Sequence, residues 1–294
     1  MSRYDTTLDP HASNTSHWQV IDLVPGGSDV LDVGCSTGYL AEALTEHGCR
    51  VSGIEYDAEA AEKARPHLEH LVVGDLVTMD LGAELGDRTF DVIVCADILE
   101  HLPDPVDVLR RLLVHLRPGG SVVVSVPNVA HGSLRLALLQ GRWQYTPTGL
   151  LDSTHIRFFT RRSLVQTLRD AGLVGVDVRR TTCDPLGAEV VVDAEALPAG
   201  VLDWVRAQPD ADTYQFVLRA VRDDADGAAA RAAQEREDIA AELVRVREES
   251  ERRRAERDAA LSALDEVRAT RAWRALTLPR AAYGRLRTIW RKSR

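Results

Sequence analysis

Four acidic side chains in the first third of this sequence are the groups most suited to chemistry. They are Asp32, Glu55, Asp75 and Asp97, and each follows a short apolar run that is typical of a strand. In α/β sheets, ligands bind at the carboxyl ends of the strands. A helix N-cap or a solvated loop would explain any one of these carboxylates. Four in succession predict a shared binding site.

The turn that follows Asp32 is built from small residues. Gly34, Ser36 and Gly38 leave room for a ligand, and glycine tolerates the positive φ of a tight turn. The first amides of the next helix would then face that ligand. A dinucleotide site requires G-x-G-x-x-G, whereas this turn has the spacing G-x-S-x-G. An acid beside the turn would repel a pyrophosphate and attract a cationic amino group, which argues against a dinucleotide.

The later acids suit the parts of a nucleoside. Glu55 stands about 20 residues past the turn, where a carboxylate can accept hydrogen bonds from both ribose hydroxyls. Asp75 can accept a hydrogen bond from the exocyclic amine of adenine, and Leu76 can pack on the ring. Small Cys95 and Ala96 leave space above the ligand.

Alternating strands and helices must position these residues. The apolar patterns predict strands over 29–33, 50–55, 70–73, 91–95 and 121–126, with helices over 39–47, 58–67 and 105–116. Such alternation is typical of a doubly wound parallel α/β sheet. The pattern continues with a helix over 161–171, strands over 174–180 and 214–221, and an irregular insertion over 183–212. Residues 118–120 (Pro-Gly-Gly) are predicted to stop a helix and open the fifth strand.

Composition sets limits on function. The chain has 294 residues, is 45% hydrophobic and contains four cysteines without a C-x-x-C pair, which argues against a zinc knuckle or a disulfide framework. The sequence has no apolar run long enough to span a membrane and no signal-peptide core, so we expect a cytoplasmic protein. The net charge is −9, but residues 269–294 carry eight basic residues and no acid. The remainder is so acidic that nucleic acid is not an expected partner.

Three segments are predicted: a globular domain over 1–222, a charged helix over 223–270 and a basic amphipathic tail over 271–294. The helix has apolar residues at heptad spacing, with a break at Ser250, Arg253 and Arg257. It predicts either a coiled coil, through which the chain would form a homo-oligomer, or an exposed charged helix. Residues 273–294 combine tryptophan and arginine, which suits an anionic membrane surface or a groove on a partner protein.

Together these motifs resemble the class I S-adenosylmethionine-dependent methyltransferases, in particular the group that includes the ubiquinone-pathway O-methyltransferases. The resemblance extends over residues 20–221. Its motifs are LDVGCSTG at 31–38, GIE at 53–55, GD at 74–75, FDVI at 90–93, LEHLPDP at 99–105 and LRPGG at 116–120. It implies a seven-stranded Rossmann-like sheet with an antiparallel last strand. Ser36 departs from the pattern, because many members have glycine there.

The resemblance assigns the cofactor, S-adenosylmethionine, to named residues. Asp32 would hold the methionine amino group, and the backbone at Gly34, Ser36 and Gly38 would cradle the methionine portion. The expected contacts of the adenosyl portion are Glu55 and Tyr56 on the ribose side and Asp75 and Leu76 on the adenine side. The methyl group would point beyond Ala96.

Methyl transfer to oxygen usually needs a base, for which the sequence offers His101 and His155. The alternative for His101 is a structural role, as a loop histidine that is hydrogen-bonded to the backbone. Some ubiquinone-pathway relatives are associated with a divalent metal at a C-x-E-x-x-E-H stretch. That stretch predicts Asp97, Glu100 and His101 as an alternative Mg²⁺ site, although no metal is the main expectation.

The substrate side is predicted from the segment around His155, which covers the cleft in the resembling group. Asp152 and Arg157 are expected substrate contacts. Residues 128–149 are predicted as a mobile lid whose aromatic residue Trp143 shapes the pocket, with ordinary packing as the alternative.

The expected function is O-methylation of a small metabolite or of a sugar or glycan intermediate. One alternative is an N- or C-methyltransferase of a natural-product pathway. Another is a scaffold that binds the cofactor but acts through its helical tail. The tail adds the expectation of peripheral attachment to the inner face of the membrane or to a protein partner.

Overall fold

A single sheet of seven strands forms the centre of the computed structural model, which describes residues 13–269. The strands are β1 (Asp29–Val33), β2 (Arg50–Glu55), β3 (His70–Val73), β4 (Phe90–Ala96), β5 (Leu116–Pro127), β6 (Leu173–Thr182) and β7 (Thr213–Arg222). The first three have the predicted bounds, and the other four extend beyond them. All seven predicted strands are therefore confirmed.

The strand order is β3-β2-β1-β4-β5-β7-β6. Strand β7 runs antiparallel to both of its neighbours, whereas the other pairs are parallel. This confirms the predicted doubly wound sheet with an antiparallel last strand. The chain passes from β1 outward to β2 and β3 and then returns to β4 on the other side of β1. The carboxyl ends of β1 and β4 therefore meet where the order reverses, which is the usual ligand position in such sheets.

Helices cover both faces of this sheet. They are α1 (Ser16–Leu23), α2 (Tyr39–Glu46), α3 (Ala58–Ala64), α4 (Leu81–Leu85), α5 (Pro105–Leu113), α6 (Gly132–Leu139), α7 (Arg161–Asp170), α8 (Val201–Arg206) and α9 (Ala225–Ala269). Side-chain caps begin several of them, such as the carboxylate of Asp57 at α3 and that of Asp104 at α5. A capping side chain satisfies amides that the first turn of a helix leaves unpaired.

Four helices were not predicted: α1, α4, α6 and α8. Helix α6 lies inside 128–149, the segment predicted as a mobile lid, and the lid role stays a prediction. Residues Leu134, Leu136 and Ala137 of α6 are all buried. The polar face that would reveal a helical period is therefore missing.

The turn predicted at residues 118–120 is also wrong. Helix α5 ends at Leu113 and β5 already begins at Leu116, so the Pro-Gly-Gly triplet lies within the strand. Phe90 pairs with Leu116, and the register between β4 and β5 shifts before Val92 pairs with Ser121. A bulge of this kind absorbs residues that a regular ladder cannot accommodate.

The core forms on both faces of the sheet because alternate strand residues point in opposite directions. Leu31 belongs to the buried cluster that includes residues of α5 and α7, whereas its neighbour Val30 belongs to the one that includes residues of α1 and α2. Cys35, Cys49 and Cys95 are buried thiols, whereas Cys183 is half-buried. The sheet edge that carries the acidic residues is therefore held between two packed layers.

The chain divides into two compact units, residues 1–234 and 235–294. In the second unit, Val246, Leu261 and Leu264 are exposed on α9. Pairing of this helix with a second copy stays a prediction, and the tail at 271–294 lies outside the described residues. Among residues 13–269, no helix has both the length and the apolarity needed to cross a membrane.

Candidate functional site

The turn between β1 and α2 adopts the unusual backbone that its small residues predict. Gly34, Ser36 and Gly38 have φ values of 76°, 49° and 85°. Ser36 is one of few non-glycine residues with positive φ in the described chain, which marks a position held by its surroundings. A Cβ atom on Gly38 would lie 2.7 Å from Cα of Ala64. The turn can therefore pack this closely on α3 only with glycine at that position.

Asp32 is buried beneath this turn. Its side chain is 2% exposed, and its Oδ2 atom has no hydrogen-bond partner. Burial raises the pKa of this carboxyl to about 7, and the negative charge of Glu55 acts in the same direction. Buried polar atoms are nearly always hydrogen-bonded. An unpaired one at the carboxyl end of a strand indicates a group that awaits a hydrogen-bond donor.

Glu55 connects two turns at the end of β2. One carboxylate oxygen accepts a hydrogen bond from the amide of Ser36 at 2.7 Å, and the other accepts one from the amide of Asp57 at 2.8 Å. Each oxygen keeps a further lone pair. Glu55 thus fixes the turn and can still accept hydrogen bonds from a ligand.

The structure brings the other predicted cofactor residues to the same edge. Glu55 pairs in register with Val73 of β3, and Asp75 follows two residues later. Asp75 accepts a hydrogen bond from the amide of Val77 at 2.8 Å, Leu76 is 8% exposed and Ala96 is half-buried. Tyr56 differs from these residues, because it is 76% exposed.

Asp97 is held by strands on the far side of the edge. Its Oδ1 atom accepts hydrogen bonds from the Ser125 hydroxyl and from the Gln215 amide, both at 2.9 Å. Its own φ is +51°, a strained value that these contacts from β5 and β7 maintain.

Sequence reasoning missed His17 and Tyr39, which approach this site from α1 and α2. The Tyr39 hydroxyl and His17 Nε2 share a hydrogen bond at 3.2 Å, and their rings meet edge to face. Burial lowers the pKa of His17, and the nearby charge of Asp97 opposes that effect. The sequence signal that could have revealed α1, and with it His17, was Thr15. Its side chain caps α1 by accepting a hydrogen bond from the Trp18 amide.

A second group of polar side chains lies after β4, where Glu100, His101 and His155 converge. One donor atom from each lies within 4.8 Å of the others. His155 Nε2 is 3.9 Å from Glu100 Oε1, and the two imidazole rings are 4.9 Å apart. The Glu100 carbonyl accepts hydrogen bonds from the amides of Ile156 and Arg157. The backbone therefore clamps the segment that bears His155 against the loop that bears Glu100.

Burial changes the acidity of this group in opposite directions. The side chains of Glu100 and His155 are 1% and 7% exposed. Burial, reinforced by the charge of Asp97, raises the pKa of Glu100. Burial, reinforced by His101, lowers the pKa of His155. Both shifts favour the neutral forms, as desolvation requires.

The structure changes the set of residues that could form the alternative metal site. The sequence grouped Asp97 with Glu100 and His101, but Asp97 is bonded to β5 and β7, and His155 takes its place in the cluster. A set of two imidazoles and one carboxylate suits zinc, iron or another transition metal better than Mg²⁺, which prefers oxygen ligands.

The predicted substrate residues have mixed outcomes. Asp152 is 1% exposed and accepts hydrogen bonds from the amide and hydroxyl of Thr154, so it stabilises a turn instead of lining an open surface. Arg157 donates both of its hydrogen bonds to the Pro103 carbonyl. Trp143 is 39% exposed and stacks edge to face with Phe158 at 5.6 Å. Of the three, Asp152 is closed off, whereas Trp143 and Arg157 present open surface at or beside the His155 segment.

Comparisons with known proteins agree with this geometry. A family model described as "Methyltransferase domain" matches residues 20–178. The ubiquinone biosynthesis O-methyltransferase of Pseudomonas paraeruginosa is 37% identical over 166 residues, covering 54% of this chain and 70% of that protein. Its namesake from Stutzerimonas stutzeri is 32% identical over 174 residues, covering 58% and 74%. A solved S-adenosylmethionine-dependent methyltransferase from Archaeoglobus fulgidus shares the fold, with a TM-score of 0.52 and 18% identity over 72% of this chain and 94% of that one.

Proposed function

Because this chain belongs to the S-adenosylmethionine-dependent methyltransferases, we propose that it methylates a hydroxyl group of a small metabolite or of a sugar or glycan intermediate. The observation that carries the proposal is the pair formed by His155 and Glu100, 3.9 Å apart at the carboxyl end of β4. A hydroxyl acceptor needs a base, and a neutral imidazole can serve as one. The relatives are named O-methyltransferases, which supports oxygen as the acceptor atom.

The residues at the sheet edge fit the cofactor. The unpaired Oδ2 atom of Asp32 is placed to accept a hydrogen bond from a methionine amino group. The turn with Gly34, Ser36 and Gly38 forms a cradle, since a Cβ on Gly34 would lie 2.9 Å from the Ile98 side chain. When bound, the cofactor supplies a methyl group already activated by a positively charged sulfur.

The adenosyl portion would lie along the ends of β2 and β3. Glu55 would accept hydrogen bonds from the ribose hydroxyls, and Asp75 would accept one from the adenine amine. Leu76, which is nearly buried, provides an apolar surface for the ring. Tyr56 is exposed and is free to close over the nucleoside.

The chain's own residues would then act on the acceptor. His155 removes the proton from the acceptor hydroxyl as the oxygen attacks, and its lowered pKa keeps it neutral near pH 7. The Glu100 carbonyl, which accepts hydrogen bonds from the amides of Ile156 and Arg157, holds the segment that carries His155 in place. Trp143 and Phe158 shield the cleft from water, which matters because aligned reactants and a dry site contribute most of the rate.

A divalent transition metal is a second candidate at this position. The observation in its favour is the convergence of Glu100, His101 and His155. These residues would hold the ion, which would supply Lewis-acid activation of the hydroxyl when bound. In that arrangement the acceptor hydroxyl would be activated by the bound ion, and His155 would serve as a ligand instead of the base.

The test is methyl transfer from labelled S-adenosylmethionine to a panel of hydroxyl, amine and carbon acceptors. Wild-type protein should label a hydroxyl acceptor, and His155→Ala should reduce turnover at least tenfold with unchanged affinity for S-adenosylhomocysteine. His67→Ala, which removes a histidine of the short 3₁₀ turn that follows α3, serves as the matched control. Labelling of amines or carbon alone would favour the natural-product alternative, and cofactor binding without turnover on any acceptor would favour the scaffold.

The C-terminal part adds a proposal about location. The basic segment at 273–294 would attach a cytoplasmic enzyme to the inner face of a membrane or to a protein partner. Deletion of 269–294 should abolish binding to anionic liposomes and leave turnover intact. If the full chain ignores such liposomes, the membrane part fails. Light scattering of the full chain and of a chain ending at residue 222 would test oligomerisation through 223–270.

A further inference from the structure

A cavity of about 510 Å³ lies between the end of β5 and the first turns of α7. Its basic wall consists of Arg161, Arg162 and Arg169, and its opposite wall includes Asn128 and Asp210. None of the cofactor or acceptor residues described above lines it. The cavity is therefore a separate feature of the described chain.

The arginines of this wall lack partners. All three are exposed, and within residues 13–269 none of their guanidinium groups makes a hydrogen bond or an ion pair. Most other arginines of the sheet domain are engaged, such as Arg117 with Asp29 and Asp91. Unpaired cations on one wall are notable in a chain with a net charge of −9.

Their position on the helix is also unfavourable. Arg161 and Arg162 occupy the first turn of α7, which contains no acidic residue. The N-terminus of a helix carries partial positive charge, so a cation there is unfavourable. Arg162 and Arg169 are seven residues apart and share one face of the helix. Cations that lie at a helix N-terminus without a compensating contact point to a functional site.

The opposite wall is held by hydrogen bonds and carries a single carboxylate. The Asn128 amide donates hydrogen bonds to the carbonyls of Asp210 and Thr213, at 3.0 and 2.8 Å. Asp210 has a φ of +57°, which these contacts help to hold. Its carboxylate is the one acidic group among the residues that line the cavity, so three arginines leave a net charge of +2.

We propose that this cavity binds a phosphate or diphosphate group, and that the group belongs to the methyl acceptor. Arginine is suited to phosphate because its planar guanidinium donates two parallel hydrogen bonds. The volume exceeds that of a single phosphate, which favours a diphosphate or a phosphate with its attached ester. The assignment of this group to the methyl acceptor rests on the proposed function.

Chain geometry supports the link to the acceptor. Thr160 lines the cavity and stands five residues after His155. Five residues span at most about 18 Å. A phosphorylated sugar or another extended phosphorylated metabolite can bridge such a distance, with its phosphate in the cavity and its hydroxyl near His155.

The first experiment measures binding of inorganic pyrophosphate to the full chain saturated with S-adenosylhomocysteine, by titration calorimetry at low and moderate salt. We expect one site per chain, weaker as salt increases, and at least about tenfold weaker in Arg162→Gln/Arg169→Gln. Arg252→Gln, which removes an exposed arginine of α9, should bind like the wild type. Absence of binding, or equal binding by the double variant, would overturn the proposal.

The second experiment separates the source of the phosphate from the reaction itself. Phosphorylated and dephosphorylated forms of the same sugars are offered with labelled S-adenosylmethionine. Preference for the phosphorylated form, with competition by pyrophosphate, supports an acceptor-borne group. Pyrophosphate binding without competition overturns that half and leaves a separate phosphate ligand. Pyrophosphate binding without methylation of any acceptor contradicts the proposed function and leaves the anion site standing.

Discussion

Replacement of Asp32 by asparagine separates the effects that burial gives this side chain. Burial, with the charge of Glu55 in addition, raises the pKa of Asp32 from the ordinary 3.8 to about 7. Asparagine has nearly the same shape but cannot ionise. The substitution therefore removes the titration and keeps the packing.

Without cofactor, the ionised carboxylate opposes folding. Asp32 favours the folded state most below pH 3.8, and that contribution is lost as the pH rises through the folded-state pKa of about 7. Each pH unit between the two pKa values is worth about 1.4 kcal/mol. We therefore expect Asp32→Asn to raise the free energy of unfolding by about 2 kcal/mol at pH 5 and by about 4 kcal/mol at pH 8.

Cofactor affinity should change in the opposite direction. The unpaired Oδ2 atom would meet the amino cation of S-adenosylhomocysteine, and loss of such a charged hydrogen bond costs about 1.5–3 kcal/mol. We expect the affinity of Asp32→Asn to fall about tenfold to a hundredfold. Wild-type binding at pH 6 should also release nearly one proton, since Asp32 must ionise, whereas the variant should release none.

Urea denaturation between pH 5 and pH 8 and calorimetry in two buffers measure these effects. Asp107→Asn is the control, because this exposed acid pairs with Arg111 on the surface of α5. Its stability should change by less than about 1 kcal/mol at every pH. A variant of Asp32 that is no more stable at pH 8, or that binds S-adenosylhomocysteine as tightly as the wild type, would refute the reasoning.

Three further predictions concern the rest of the site. Glu55→Gln removes the negative charge and one of the two oxygens that accept from the Ser36 and Asp57 amides, and it weakens the proposed ribose contact, so affinity for adenosine-containing ligands should fall at least about tenfold by calorimetry. In wild-type protein the acid limb of kcat/KM should lie below pH 6.5, because burial and His101 lower the pKa of His155; a limb above pH 6.5 would contradict its role as a neutral base. If a metal binds, Zn²⁺ or Mn²⁺ should bind one per chain and be lost in Glu100→Gln, and chelators should reduce turnover; unchanged turnover after chelation would exclude that candidate.

Much of the proposed cofactor site was predictable because its residues lie in short, continuous stretches of sequence. The strand, the small-residue turn and the acid at 31–38 are consecutive, and the later acids each end a recognisable strand. Glu55 shows the limit of such reasoning. The sequence predicts it as a ribose ligand, but its hydrogen bond to the Ser36 amide joins residues 19 apart and is visible only in the fold.

The proposed acceptor site was less predictable because the residues that contact one another there are distant in sequence. Glu100 and His155 meet through backbone hydrogen bonds across more than fifty residues, and Asp97 is drawn away to Gln215 across 118. His17 reaches the site on a helix of eight residues that the sequence did not reveal. No local period or spacing reports such contacts.

This division explains why the cofactor is easier to identify than the acceptor. The residues proposed to bind the cofactor lie at consecutive strand ends, so the sheet itself brings them to one edge. The residues proposed to bind the acceptor lie on the segment at 152–159 and on α7, whose positions the sheet does not dictate. Changes there alter what binds without disturbing the fold. Because nothing in the architecture requires the unpaired arginines of α7, they are the feature from which we infer a phosphate group on the acceptor.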